Sequence, residues 1–433
     1  MLKADPSAPD GVRAPRAGDI MKLPNLARTF RTLATEGKKG FYSGRIADEI
    51  IKVVRDLGGY LELDDLLHHL ETGSEPVEPI SLKFRGQGTA SSAGGGVEVW
   101  EHPPNGQGIV ALMALGIIQE LEAQGKIPTF TPADHNTAPY LHAIIEALRI
   151  AFADAHWFVT DPSTNPVPTA ELISQPYLAS RAALFDPAKA NANLTHGSPS
   201  PSSSSSPPSF PSPALRSSDT VYLCVSDAAG NAVSLINSNY GGFGTAVIPR
   251  GCGFTLQNRG ANFALHPPEH PNLLGPRKRP YHTIIPGLVT NLEDGGGGGD
   301  GDGARSLHSV FGVMGGFMQP QGHVQVLLGQ LVGGLSPQQA LDAPRVCVGA
   351  GMADVGDVRR LEVVYVEEGM PEEAVRGLRE RGHRVEVLRG WGGKGRQMFG
   401  RGQIIRWTVD EVTGEGVWSA GSDMRGDGAA YPA

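Results

Sequence analysis

Thr220 stands at the head of the alternating run TVYLCVSD, directly behind Ser217-Ser218-Asp219 and the tract GSPSPSSSSSPPSFPSP from Gly197 to Pro213. A threonine hydroxyl is a weak nucleophile at neutral pH and needs a base beside it. One economical base is the residue's own α-amino group, with a reference pKa of about 8. That group becomes available once the preceding peptide bond, here Asp219–Thr220, has been cut. The chemistry asks three things of a sequence. The threonine must head a strand, the chain before it must be loose enough to withdraw, and backbone N–H groups must stand near to hold an oxyanion. Thr220 meets the first two. Gly315-Gly316, closing the apolar strand HSVFGVMGG, offers the third, because glycines let a substrate approach main-chain donors. Taken alone, the same features describe a domain boundary followed by a strand, and a glycine pair after a strand is more often a turn.

Other residues with chemical potential read more plainly. HPPEH, from His266 to His270, has the HxxEH spacing of one metalloprotease class, but that spacing works only on a helix and its central prolines forbid one. With HExxH also lacking, neither a metal site nor a cofactor is expected. His68-His69 lies on a helical stretch with one side toward solvent, and His308 and His323 are isolated. LEDGGGGGDGDGA, around Asp294 to Ala304, resembles an acidic calcium loop until its glycine density and missing glutamate are weighed; it reads as a flexible hairpin loop. NYGGFGT is not followed by the lysine and hydroxyl pair of a phosphate loop. Asn193-Leu194-Thr195 is a glycosylation sequon that matters only in a secreted protein.

The elements that must position Thr220 follow from patterning. GRIADEIIKVVRDLGG and LARTFRTLATEG carry apolar residues at helical spacing and end in glycine. ISLKFRG and GGVEVWEHP alternate as a strand pair. GQGIVALMALGIIQELEAQG and APYLHAIIEALRIAFADAHWF are helices apolar around much of their circumference, hence buried. DAAGN makes TVYLCVSD and NAVSLIN a hairpin. AVIPRG, GFTLQN, TIIPGLVT and SLHSVFGVMGG are further β-rich segments. A helix at HVQVLLGQLVGG, then strand, helix and strand through LEVVYVEEGMPEEAVRGLRERGHRVEVL, completes a mixed chain. The Ser/Pro tract buries too little apolar surface to offset chain entropy and reads as a linker. Three segments result: 1–196, a linker over 197–219, and 220–433.

A net charge of −8 over 433 residues argues against nucleic acid, which wants a basic face, and short clusters such as Arg277-Lys278-Arg279 are expected solvated or locally paired. No apolar run is long enough for a membrane span. Cys224, Cys252 and Cys347 are widely spaced in mostly apolar runs and read as reduced, buried thiols of an intracellular protein.

The stretch SSDTVYLCVSDAAGNAVSLINSNYGGFGT, with GFTLQNRGANF, GPRKRPYHTIIPG, GVMGG, FGRGQII and AGSDMRGDG, resembles the small subunit of the γ-glutamyltranspeptidase family. FYSGRIADEIIKVVRDLGGYLELDDL, HPPNGQGIVALMALGIIQELE and AIIEALRIAFADAHWFVTDP are similar to the latter part of its large subunit, so the likeness runs from about Asp19 to Gly428. The resemblance implies an αββα sandwich of two stacked antiparallel sheets between helical layers. It also implies a self-cleaving hydrolase or transferase acting on γ-glutamyl amides such as glutathione, with an amino acceptor or water, and with its two fragments remaining associated. By the same likeness Thr220 is the nucleophile, Gly315 and Gly316 form the oxyanion hole, and Ser238 hydrogen-bonds the nucleophile. Asn258, Arg259, Asn262, Tyr240, His282 and Thr283 line the substrate pocket. Arg425-Gly426-Asp427 belongs to the family's terminal motif rather than to an adhesion signal.

Several positions depart from the family. Val221 follows the threonine where some members have a small polar residue. Asn262 replaces an aspartate that pairs with the substrate ammonium, and Arg259 stands where a glutamate or glutamine is expected. Tyr240 replaces a pocket asparagine, and His282-Thr283 a serine pair. Such a pocket suits an acyl group bearing a carboxylate better than a free amino-acid head, which points to an acylase or amidase as the alternative. The family's opening strands and helices have no counterpart here, so a truncated, non-catalytic homologue is a third expectation and localisation is left open.

Overall fold

The computed structural model describes residues 2–88, 95–192, 194–199, 218–292, 306–349, 363–391, 395–410 and 412–432. Asn193, residues 200–217 of the linker and residues 293–305 of the glycine-rich run therefore lie outside the described residues. The chain forms two compact units, one of residues 1–76 with 243–258, the other of 77–242 with 259–433.

In the smaller unit a short hairpin pairs β1 (Lys3–Ala4) with β2 (Val12–Arg13), and three helices follow: α1 (Pro24–Tyr42), α2 (Arg45–Asp56) and α3 (Leu63–Thr72). Gly37, the expected helix end, breaks α1 with a φ of 61°. The returning segment 243–258 packs on these helices: Thr29 Oγ1 donates to the Cys252 carbonyl at 2.8 Å, and Arg28 Nη2 to the Gly251 carbonyl at 2.8 Å. Ile46, Ile50 and Cys252 form the core of this unit. His68 and His69 are both exposed on α3.

The larger unit is built on a six-stranded antiparallel sheet ordered β13-β12-β8-β7-β4-β3. Its strands are β3 (Ile80–Phe84), β4 (Val97–Glu101), β7 (Gly287–Asn291), β8 (Leu307–Met314), β12 (Arg401–Val409) and β13 (Gly416–Ser422). A separate hairpin, β5 (Ser218–Ser226) with β6 (Ala232–Gly241), lies against β8. Tyr222 of β5 packs so closely there that a Cβ at Gly312 would come within 2.4 Å of its ring. Absence of a side chain at Gly312 is what lets the hairpin stack.

Helices α4 (Gly108–Ala123) and α5 (Ala138–Phe158) pack together, with α6 (Thr169–Leu172) and α7 (Gln175–Ala182) after them. Nearly every residue of α4 and α5 is buried, as helices apolar all round must be. Helices α8 (Met318–Leu331) and α9 (Pro337–Asp342) lead to a three-stranded sheet of β9 (Val346–Val348), β10 (Val363–Glu367) and β11 (Arg384–Leu388). The strand, helix and strand expected here form a parallel pair: α10 (Glu372–Glu380) joins β10 to β11 by a crossover, in a sheet separate from the antiparallel six-stranded one. The C-terminal motif is buried in ionic contacts: Arg425 Nη2 meets Glu367 at 2.5 Å and Nη1 meets Asp423 at 2.9 Å, while Arg345 meets Asp423 at 2.6 Å. Arg425 is thus locked in the interior and unavailable as a surface recognition tripeptide.

Candidate active site

The β5–β6 ladder slips at one place. Ser218 faces Gly241 while Thr220 faces Ser238, so Asn239 and Tyr240 of β6 stand opposite the single residue Asp219. This is a β-bulge, a feature that re-aims side chains and interrupts pairing, and it falls at the Asp219–Thr220 bond. Tyr240, in the bulge, holds a φ of 75°, a left-handed conformation that a bulky aromatic rarely adopts. Beyond the bulge Thr220 is 1% exposed, and its Oγ1 donates to Ser238 Oγ at 3.1 Å. Ser238 Oγ also accepts the Tyr240 backbone N–H at 2.8 Å, so the bulge geometry orients the hydroxyl that faces Thr220.

Arg259 joins this group through the same serine, its Nη2 donating to the Ser238 carbonyl at 2.8 Å. Burial lowers the guanidinium pKa from its ordinary value. Asn262, on the same short helical turn, is buried, and both polar atoms of its side chain lack a partner among the described residues. His282 is held neutral: burial, then the positive charges of Arg259, His102 and Arg279, drive its pKa down to about 3. Its Nδ1 and the Oγ1 of fully buried Thr283 likewise have no partner among the described residues. The polar groups of Asn262, His282 and Thr283 are thus desolvated and unmatched, as expected of groups that await a ligand. Asn258 is the last residue of the smaller unit, half-buried there.

Gly315 and Gly316 follow β8 directly and lead into α8, their carbonyls accepting the N–H groups of Met318 and Gln319 at 3.1 and 3.2 Å. Their φ values of 137° and 61° are open to glycine and strained for other residues. The pair therefore sits at the positive end of a 14-residue helix, which favours a developing negative charge. The pattern HVQVLLGQLVGG placed that helix further on; Pro320 at its third position hid the true start, although proline is tolerated in a first turn. Met314, immediately before the pair, packs with Tyr222 and Ile236 of the β5–β6 hairpin.

Two groups were not singled out from the sequence, and His323, read there as isolated, is instead paired with Glu101. Gln107 is fully buried between His282-Thr283 and the glycine pair. Glu101 and His323 meet in the core at 2.6 Å, burial raising the carboxyl pKa and the histidine opposing it. His142, Glu146 and His383 place potential ligand atoms within 4.8 Å of one another. Those atoms are already engaged: His142 Nδ1 and His383 Nε2 hydrogen-bond at 2.7 Å, while Glu146 receives Arg149 and the Asn191 N–H, each at 2.9 Å. The cluster is thus a hydrogen-bonded strut between α5 and the start of β11. No reading of the sequence pointed to Gln107, which lies in a stretch quoted only for its family likeness, and residues 101 and 323, distant in sequence, carried no local signal.

Among the described residues no helix is long and apolar enough to cross a membrane. The family model for gamma-glutamyltranspeptidase matches residues 7–433. The chain is 31% identical over 422 residues to a glutathione hydrolase-like YwrD proenzyme of Bacillus subtilis, covering 96% of this chain and 67% of that protein. It is 32% identical over 419 residues to the oxamate amidohydrolase proenzyme of Klebsiella pneumoniae, covering 96% and 66%. The crystal structure of a cephalosporin acylase from Bacillus halodurans superposes with a TM-score of 0.74 at 37% identity, covering 97% of this chain and 65% of that one. The chain thus spans about two thirds of the length of these relatives. With the family model matched along nearly the whole sequence, the chain belongs to the γ-glutamyltranspeptidase family.

Proposed function

We propose that this chain is a self-cleaving threonine amide hydrolase or acyltransferase with the four-layer αββα arrangement of N-terminal-nucleophile hydrolases. The observation that carries the proposal is Thr220 Oγ1, buried beside Ser238 Oγ at 3.1 Å and next to the bulge at Asp219. In self-cleavage the Thr220 hydroxyl adds to the Asp219 carbonyl and the peptide C–N bond breaks, leaving an ester. Water then hydrolyses the ester and releases Thr220 with a free α-amino group. In turnover that amine takes the hydroxyl proton, the Thr220 oxygen bonds the substrate acyl carbon, and the amine leaving group departs with the proton. Water or an amino acceptor completes the cycle. Gly315 and Gly316 hold the oxyanion, and fragments 1–219 and 220–433 stay associated.

The first substrate class is γ-glutamyl amides such as glutathione. A second, an acyl group with a carboxylate and no ammonium, is favoured by Arg259 and by uncharged Asn262. A relative named for oxamate, an amide bearing a carboxylate, and another named for an acylase support it. Intact mass and N-terminal sequencing of the purified chain test the core reading. A fragment beginning Thr220-Val221, lost in Thr220→Ala, is expected; persistent cleavage in that variant overturns it. Turnover of glutaryl anilide against γ-glutamyl anilide separates the substrate classes, and a strong glutamyl preference removes the second.

A further inference from the structure

The loop between β4 and α4, Asn105-Gly106-Gln107, is tied to residues 280–283 by a continuous set of hydrogen bonds. Asn105 Nδ2 donates to the Pro280 carbonyl at 2.7 Å, and the His282 N–H to the Asn105 carbonyl at 3.0 Å. The Gln107 N–H donates to the His282 carbonyl at 3.1 Å. Gly106 allows the approach, since a Cβ there would stand 2.8 Å from the His282 ring. The side chain of Gln107 then bridges two separate pieces of the site. Its Nε2 donates to the Thr283 carbonyl at 2.9 Å and to the Gly316 carbonyl at 2.8 Å, while its Oε1 accepts the Tyr281 hydroxyl at 3.2 Å. The amide is fully buried, and both its donors and its acceptor are engaged.

We infer that Gln107 is a positioning residue that couples the acyl-pocket wall, His282-Thr283, to the Gly315-Gly316 turn. The inference rests on the hydrolase reading. Gly316 has no side chain to restrain its backbone torsions; its carbonyl lies on the Gly316–Phe317 peptide, so the hydrogen bond from Gln107 limits rotation about the residue whose own N–H, on the neighbouring peptide, must stay fixed while charge develops beside it. A carboxamide is the side chain suited to the task, because it can donate twice to carbonyls and accept once from a phenol in one plane. Glutamate matches its shape but turns the donating nitrogen into an oxygen that repels both carbonyls. Methionine fills the volume and offers neither. A misplacement of about 1 Å at a reacting centre costs about 10²-fold in rate, so the coupling belongs to kcat.

The test compares wild type, Gln107→Glu and Gln107→Met in full-length chains by two independent readouts. Hydrogen exchange by mass spectrometry is expected to speed up at least tenfold in both variants, in segment 281–285 and in segment 315–318 together, while α5 keeps its protection. Steady-state hydrolysis of the preferred anilide is expected to lose about 100-fold in kcat, with KM changed far less. Unchanged exchange at either segment, or a loss confined to KM, overturns the inference and leaves the hydrolase reading standing. A wild type that exchanges slowly at both segments yet neither cleaves nor turns over amide instead overturns the hydrolase reading, and the catalytic role of Gln107 with it. If one variant fails to fold, the other carries the same comparison.

Discussion

At the scale of single residues, Ser238 and Arg259 divide the work around Thr220. Ser238 Oγ takes one hydrogen bond from Thr220 Oγ1 and one from the backbone of the bulge, so it transmits backbone geometry to the hydroxyl of the proposed nucleophile. Ser238→Ala is expected to slow self-cleavage about tenfold, less than the roughly 10²–10⁴-fold of a general acid–base group, because Ser238 orients the hydroxyl rather than taking its proton. A time course of intact mass would check it, and wild-type kinetics would remove Ser238 from the mechanism. Arg259 is a partly desolvated cation, and a hydrogen bond between charged partners is worth roughly 1.5–3 kcal/mol. Arg259→Gln should therefore raise KM for a glutaryl anilide by about 10- to 100-fold, with little effect on an uncharged acyl anilide. His282 differs from both. With its pKa near 3 it stays neutral across the working range, so it can donate or accept a hydrogen bond but cannot set a pH limb near neutrality. In the proposed mechanism a limb around pH ~8 is that of the freed α-amino group of Thr220, and His282→Gln should leave it in place; a shift of a full unit would contradict the assignment.

The elements that carry these residues were legible in the sequence to different degrees, for physical reasons. The β5–β6 hairpin was plain from alternation and DAAGN, and its register explains Ser238 directly. AVIPRG and GFTLQN looked like strands but are irregular: they meet where the Thr245 N–H donates to the Leu256 carbonyl at 2.8 Å and the Leu256 N–H to the Val247 carbonyl at 3.0 Å, while the turn between them is held to α1. TIIPGLVT is strand only from Gly287, since Pro286 has no N–H and the Ile285 N–H is claimed by Gln319 Oε1 at 3.2 Å. The candidate pocket residues Tyr240, Asn258, Arg259, Asn262, His282 and Thr283 are implied by the family likeness alone, as nothing in irregular loops predicts which residues will converge. The hairpin also has a consequence for handling. Its inner face buries Tyr222 and Ile236, but Val221, Val225, Val233 and Leu235 on its outer face are each more than half exposed. Two-stranded sheets with bare edges and an apolar face invite association. We expect self-association detectable by light scattering at micromolar concentration, reduced by pairing Val233→Thr with Leu235→Thr. A strictly monomeric wild type would show that this face is already protected.

For the molecule as a whole, buried neutral histidines set the response to acid. Burial drives His383 and His282 down to about 3 and His308 and His156 down to about 4. Each binds its proton more weakly folded than unfolded, where the reference value is about 6.5. The unfolded chain therefore takes up more protons below pH ~6.5, and stability must fall as the pH falls from there toward the folded values. The slope is about half its full size at pH ~6.5 and fades above pH ~7.5. Glu101 and Asp154, whose carboxyl pKa values burial raises, act in the opposite sense and soften the loss. Near pH 5 each neutral histidine adds about 1.4 kcal/mol per pH unit to the slope. His308 is the cleanest to test: it lies on β8 with its Nδ1 3.0 Å from Ser309 Oγ, away from the residues placed in the site. Thermal denaturation followed from pH 8.5 to 5 should show a melting temperature that is nearly flat down to about pH 7.5 and declines with increasing steepness through about pH 6.5. His308→Gln should lessen that decline by about one histidine's share of slope. A decline of equal steepness in the variant would mean that His308 is protonated in the folded chain, and that the β8 environment around it is wetter than its burial implies.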